Sequence, residues 1–144
     1  MPRFTGLALA LALAALSTCS TASFAAAAAG APAPPDHLTL TVTDSGDPAA
    51  DGTYELTCHP AGGTHAAPQE ACDRLDELTT WGTDPFAPVP PDSLCTMQYG
   101  GPAAAHVTGT WAGRPVDTSF KRSDGCEIAR WDDFAPVLPT TTGA

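Results

Sequence analysis

From residue 37 the chain alternates. In "HLTLTVTD", Leu38, Leu40 and Val42 are separated by Thr39, Thr41 and Thr43, the two-residue period of a strand with one buried face. "SGDPAADG" supplies turn residues, and "TYELTC" reads as a second strand with Tyr54 and Leu56 on one face. The glycine- and proline-rich run "HPAGGTHAAP" reads as a loop. After Pro68 the period changes. Ala71, Leu75 and Leu78 in "QEACDRLDELTT" recur every three or four residues, which predicts a short helix carrying Cys72. "WGTDPFAPVPPD" is a proline-stiffened loop. It leads into "SLCTMQYGG", residues 93–101, where Leu94, Met97 and Tyr99 follow no helical period. "AHVTGTW" and "PVDTSFKR" flank "AGR" as strand, turn and strand. "CEIARW" reads as the last strand and "VLPTTTGA" as a frayed tail. With about five short strands and one or two helices, the fold class is α+β, mainly antiparallel. No internal repeat is visible.

The N-terminal 31 residues follow a different logic. Arg3 is a positive start, "GLALALALAAL" an apolar run, and "SFAAAAAGA" offers small-residue cleavage sites. This is the pattern of a secretory signal peptide, residues 1–31, leaving one domain at 32–144 and an extracellular location. The Leu-rich core is too short for a membrane anchor and no charged stop-transfer follows. Lipid attachment at Cys19 in "LSTC" is disfavoured because Thr18 is larger than the residue expected before a lipidated cysteine. Without Arg3 the formal charge moves from −10 to −11, with 16 acidic residues against 5 basic ones. Such a surface repels nucleic acid and anionic lipid, so neither is expected as a partner.

Four cysteines remain in the domain: Cys58, Cys72, Cys95 and Cys126. An even count in a small exported chain predicts two disulfides, and the three possible pairings are not distinguished by spacing. A zinc site would draw on Cys58, His59, His65 and Cys72. It lacks the close cysteine pairs of structural zinc sites, and an oxidising compartment favours the bridge. Catalytic chemistry is equally unsupported. His37, His59, His65 and His106 are scattered, and Ser93 has no glycine elbow. Asp132 and Asp133 are adjacent, so they do not share a face, and Asp76 and Glu77 read as solvent-facing helix charges. No phosphate loop or metalloprotease helix occurs. No enzyme, metal or cofactor is expected. Periodicity alone would make Leu94, Met97 and Tyr99 core residues of a strand.

A resemblance changes that reading. In "CHPAGGTHAAPQEACDRL", Cys58, Pro60, Gly63, His65, Ala71, Cys72 and Leu75 match the signature of the SSI-type bacterial subtilisin inhibitors. Ala66 departs from it, standing where the family has proline. "CTMQY" looks like the family's reactive segment, "GTWAGRPV" its following hairpin and "CEI" its closing cysteine. The likeness runs from about Leu38 to Phe134. It implies a secreted homodimer built on a five-stranded antiparallel sheet with two short helices. It also implies disulfides Cys58–Cys72 and Cys95–Cys126, and inhibition of subtilisin- and chymotrypsin-like serine proteases.

By the same resemblance the residue two after the third cysteine fills the protease's main pocket. That is Met97, and the reactive bond is Met97–Gln98. Leu94 would enter a second apolar pocket, Cys95 and Thr96 link the two, and Gln98 and Tyr99 lie on the leaving side. Two departures stand out. "GGP" replaces the family's acidic residue and proline and is one residue longer, so Gly100 and Gly101 are expected to loosen the leaving side. Asp124 stands where a family asparagine braces the segment, and an ionised carboxylate cannot donate. Weaker inhibition, or its slow loss through cleavage, is the expected consequence. Two alternative readings are a non-inhibitory binding module on the same scaffold and a metalloprotease inhibitor acting through a second surface.

Overall fold

The structure, a computed structural model, describes residue 30 and residues 35–141. The expected signal peptide, apart from residue 30, and Cys19 lie outside the described residues. The alternating segments form the anticipated strands, β1 at Asp36–Thr43 and β2 at Gly52–Cys58. They pair antiparallel with Leu38 opposite Leu56 and Leu40 opposite Tyr54. The hairpin likewise forms, as β4 (Ala104–Trp111) and β5 (Arg114–Lys121) joined by a two-residue turn. A two-residue strand β3, Gly62–Gly63, lies inside the expected loop and completes an antiparallel sheet of order β3-β2-β1-β4-β5.

Register explains the core. Leu40 faces Val107, and Val42, Ala105 and Phe120 lie side by side across β1, β4 and β5, so a single sheet face is apolar. Two helices cover that face. α1 (Pro68–Leu78) begins with a proline, tolerated where the first N–H has no helical partner. It buries Ala71, Cys72 and Leu75. At its end the Thr79 hydroxyl donates to the Leu75 carbonyl at 2.6 Å and accepts from Trp111 Nε1 at 2.8 Å, tying the helix to β4.

The second helix corrects the sequence reading. "CEIARW" is not a strand but part of α2, Gly125–Asp133. The Asp124 carboxylate accepts from the N–H groups of Cys126 and Glu127, each at 3.0 Å, and so caps two donors that an uncapped first turn would leave unpaired. Ile128, Trp131 and Phe134 then recur every third residue, and Trp131 and Phe134 are buried. Residues 137–139 of the expected frayed tail are packed as well. Val137 and Leu138 are fully buried, Trp131 Nε1 donates to the Pro139 carbonyl at 2.9 Å, and His65 Nε2 lies 3.0 Å from the Val137 carbonyl.

Arg130 secures α2 to the sheet. It donates to the carbonyls of Ala87, Ser119 and Phe86 and to the Thr118 hydroxyl, and its guanidinium lies 3.9 Å over the Phe120 ring. The helix that carries Cys126 is therefore fixed at both its ends and along its buried face.

Candidate functional site

Residues 93–100 belong to no helix or strand. None of them enters the left-handed backbone region, whereas the next residue, Gly101, does, with φ at 97°. The side chains that periodicity alone assigned to the core point the other way. Leu94 and Met97 are fully exposed and Tyr99 is 63% exposed. Gln98 and Thr96 are exposed as well. Three large apolar side chains are thus exposed within six residues. Trp81, in the loop after α1, is also fully exposed.

What keeps the segment ordered is a set of fixed points on either side of Met97–Gln98. Upstream, Cys95 is bonded to Cys126 in the first turn of α2. Next to it the Gly125 N–H donates to the Thr96 carbonyl at 3.0 Å. A Cβ on residue 125 would overlap the Thr96 hydroxyl and force that side chain to shift, so glycine suits this close approach. Downstream, the Gly100 N–H donates to the Arg122 carbonyl at 2.8 Å, and Arg122 Nε donates to the Gly100 carbonyl at 3.0 Å. The Arg122 side chain is 9% exposed and its Nη1 lies 2.6 Å from Asp132 Oδ1 on α2. Only three residues, Met97, Gln98 and Tyr99, separate the two anchors. Four extended residues span at most about 14 Å, so little slack is left.

Asp124 and Gly100 each hold a defined place in the structure. Asp124 cannot donate to the segment, but its carboxylate caps α2, and the Gly125 N–H beside it makes the donation. The backbone hydrogen bond from Glu127, followed by the Ser123 hydroxyl and the Cys126 N–H, holds its carboxyl below the usual carboxylate range. Gly100, expected to be loose, is bonded on both its backbone polar groups. A Cβ there would sit 2.7 Å from Ile128 Cγ1 and 3.1 Å from Arg122 Cβ, so the missing side chain is what lets the chain dock.

The four zinc candidates do not converge as a ligand set, and each is otherwise engaged. Cys58 is bonded to Cys72. His59 bridges Asp36 and Asp76 at 2.8 and 3.0 Å, and His65 reaches the Val137 carbonyl and the Ala67 N–H. Cys95, Asp124 and Cys126 do cluster, but as a disulfide and a helix cap. His37 pairs with Glu55 and His106 with Asp117 on the uncovered sheet face. The sequence reading missed Arg122, Arg130 and Gly125. Asp124 and Glu127, three apart before an apolar period, were the readable signal for the cap.

A profile of the subtilisin inhibitor-like family matches residues 34–123. The chain belongs to this family. Subtilisin inhibitor-like protein 1 of Streptomyces cacaoi is 36% identical over 98 residues, covering 65% of this chain and 84% of its own length. The Subtilase-type protease inhibitor of Streptomyces fradiae is 38% identical over 96 residues, 64% of this chain and 66% of the relative. Among solved structures, Streptomyces caespitosus sermetstatin in complex with Bacillus licheniformis subtilisin has 30% identity and a TM-score of 0.46. That likeness spans 74% of this chain and 99% of the other. Family members of this kind are protease inhibitors, not enzymes. Among the described residues no helix is long and apolar enough to cross a membrane.

Proposed function

We propose that the protein is a secreted inhibitor of subtilisin- and chymotrypsin-like serine endopeptidases, with residues 94–99 docking as a substrate-like strand and Met97–Gln98 as the reactive bond. The observation that carries the reading is a fully exposed Met97 held between covalent and hydrogen-bonded anchors. Relatives named as subtilisin inhibitor-like and subtilase-type inhibitors put subtilisins first among the targets. Secretion and assembly as a homodimer, both implied by the resemblance, belong to the same reading.

The physical case is preorganisation. A serine protease takes its substrate as an added strand and attacks the carbonyl of the residue in its main pocket. Ordering a free peptide costs about 1–2 kcal/mol per residue of backbone entropy. A segment already anchored at Cys95, Thr96 and Gly100 avoids most of that cost on docking. Met97 is flexible, polarizable and apolar, and its burial contributes about 1.5–3 kcal/mol. It carries no charge to meet the acid of a trypsin pocket. Leu94, three residues upstream, fits a second apolar pocket.

Titrating subtilisin and chymotrypsin with the purified protein tests this. The expected result is stoichiometric loss of activity with slow, limited cutting at Met97–Gln98. Full subtilisin activity at molar excess of the protein, with rapid digestion, sinks the reading in favour of a binding module. Met97→Lys should move selectivity toward trypsin by at least about 100-fold in relative inhibition constants, the worth of a buried charge pair of a few kcal/mol. Unchanged selectivity would move the reactive bond elsewhere.

A further inference from the structure

We propose that Arg122 is a positioning residue that holds the leaving side of the reactive segment, so that an attacked bond is rejoined rather than hydrolysed. This rests on Met97–Gln98 being the reactive bond. Arg122 does not approach that bond. It acts through Gly100, three residues beyond Met97, whose N–H and carbonyl both bond to it at 2.8 and 3.0 Å. The guanidinium is itself pinned, with Nη1 on Asp132 Oδ1 at 2.6 Å and only 9% of the side chain exposed. Gly100 seats against Ile128 and the Arg122 stem in space that any side chain would fill. The anchor thus joins the end of β5, the exposed segment and α2.

The chemistry explains why an anchor there matters. When the protease serine attacks, the Met97 carbonyl forms an ester with its Oγ, the Met97–Gln98 C–N bond breaks, and Gln98 leaves as an amine after taking a proton from the catalytic histidine. Rejoining is the reverse. The Gln98 amine attacks the ester carbonyl, the C–O bond breaks, and the amine proton returns through the histidine to the serine. Hydrolysis uses the same ester with water in place of the amine. The contest is decided by the effective concentration of the Gln98 amine. With Gly100 anchored, the free end is a leash of three residues. Without it the next side chain buried in the core is Ala103, 3% exposed, and the leash doubles to six residues. Effective concentration falls with leash length, and the alignment of the amine is lost as well.

Wild type, Arg122→Met, Arg122→Lys and Asp132→Asn are compared with subtilisin. The readings are the inhibition constant at short times, the bond cut, the rate at which cut protein accumulates, and the ratio of cut to intact protein at equilibrium. Arg122→Met keeps the apolar stem and the backbone bond from the Gly100 N–H, and removes the side-chain donors to the Gly100 carbonyl and to Asp132. It should weaken the initial inhibition constant only a few-fold, while cut protein accumulates at least about 10-fold faster and the equilibrium shifts toward the cut form. Arg122→Lys can serve Gly100 or Asp132 but not both and should fall between. Asp132→Asn leaves the arginine in place at an exposed partner and should shift the ratio the same way by less, which keeps the test open if Arg122→Met folds poorly. A merely structural role would instead lower the melting temperature and give cuts at many bonds. Equal cut-to-intact ratios in wild type, Arg122→Met and Asp132→Asn, with cutting at Met97–Gln98, overturn the role of Arg122 alone. Wild type cut first at another bond overturns the reactive-bond reading and this proposal with it.

Discussion

The two disulfides are chemically alike and placed in opposite surroundings. Cys58–Cys72 joins the end of β2 to α1, and each cysteine is 3% exposed within the main apolar cluster. Cys95–Cys126 joins an irregular segment to the first turn of α2, beside two fully exposed apolar side chains. Around the first bridge, Leu56, Ala71 and Leu75 would hold the same elements together through packing. Around the second, the segment buries no large apolar side chain, so burial cannot offset its ordering entropy. Covalent linkage and a few hydrogen bonds replace a core there. A surface can be rigid and apolar at once only when something other than its own hydrophobicity fixes it.

That contrast predicts the largest effect at the surface bridge. Replacing Cys95 and Cys126 with serine should weaken inhibition of subtilisin by about 100-fold, since freeing two or three residues restores roughly 3 kcal/mol of ordering cost. The variant should also be cut as an ordinary substrate, followed by mass spectrometry. Replacing Cys58 and Cys72 with alanine should leave inhibition by the folded protein within about 3-fold. Stability will not separate the two variants. Chain entropy assigns about 3 kcal/mol to the loop of 14 residues and about 4 kcal/mol to that of 31, and denaturant unfolding should find losses of that order in both. If inhibition falls equally in the two variants, the division of labour is wrong.

The same division governs what could be read from the chain. β1, β2, α1 and the β4–β5 hairpin were legible because each obeys one clean period: Leu38, Leu40, Val42 for a strand, Ala71, Leu75, Leu78 for a helix. α2 was misread because Glu127, Ile128, Ala129 and Arg130 mix charged and apolar residues with no strict alternation, while the cap at Asp124 went unweighed. β3 has two glycines and no side-chain pattern at all. At the site, composition and periodicity alone pointed the wrong way and would have buried Met97. Resemblance supplied the reactive segment proposed above. Neither route could find Gly125 or Arg122, since their importance lies in contacts between residues far apart in sequence.

The smallest effects separate the two regions by pH. On the core side His59, next to Cys58, bridges Asp76 and Asp36, and Asp36 also accepts from the Ala112 N–H. The hydrogen bond it donates to Asp76, then the one it donates to Asp36, raises its pKa above the ordinary histidine value. A raised folded pKa means that this staple contributes fully below the unfolded value and is lost as pH climbs through the folded one. His59 is half exposed, so screening keeps the effect under about 1 kcal/mol. The melting temperature should drop slightly from about pH 6 to about pH 9, and His59→Gln should flatten the change. On the segment side the sign reverses. Asp124 has a lowered pKa, so its cap persists above the ordinary carboxylate range and fails only as pH falls through the folded value. Hydrogen exchange at the Gly125 amide should therefore quicken in acid, after correction for intrinsic rates, and stay unchanged across the window that weakens His59. An amide that responds to the alkaline change instead would mean that the two regions unfold as one.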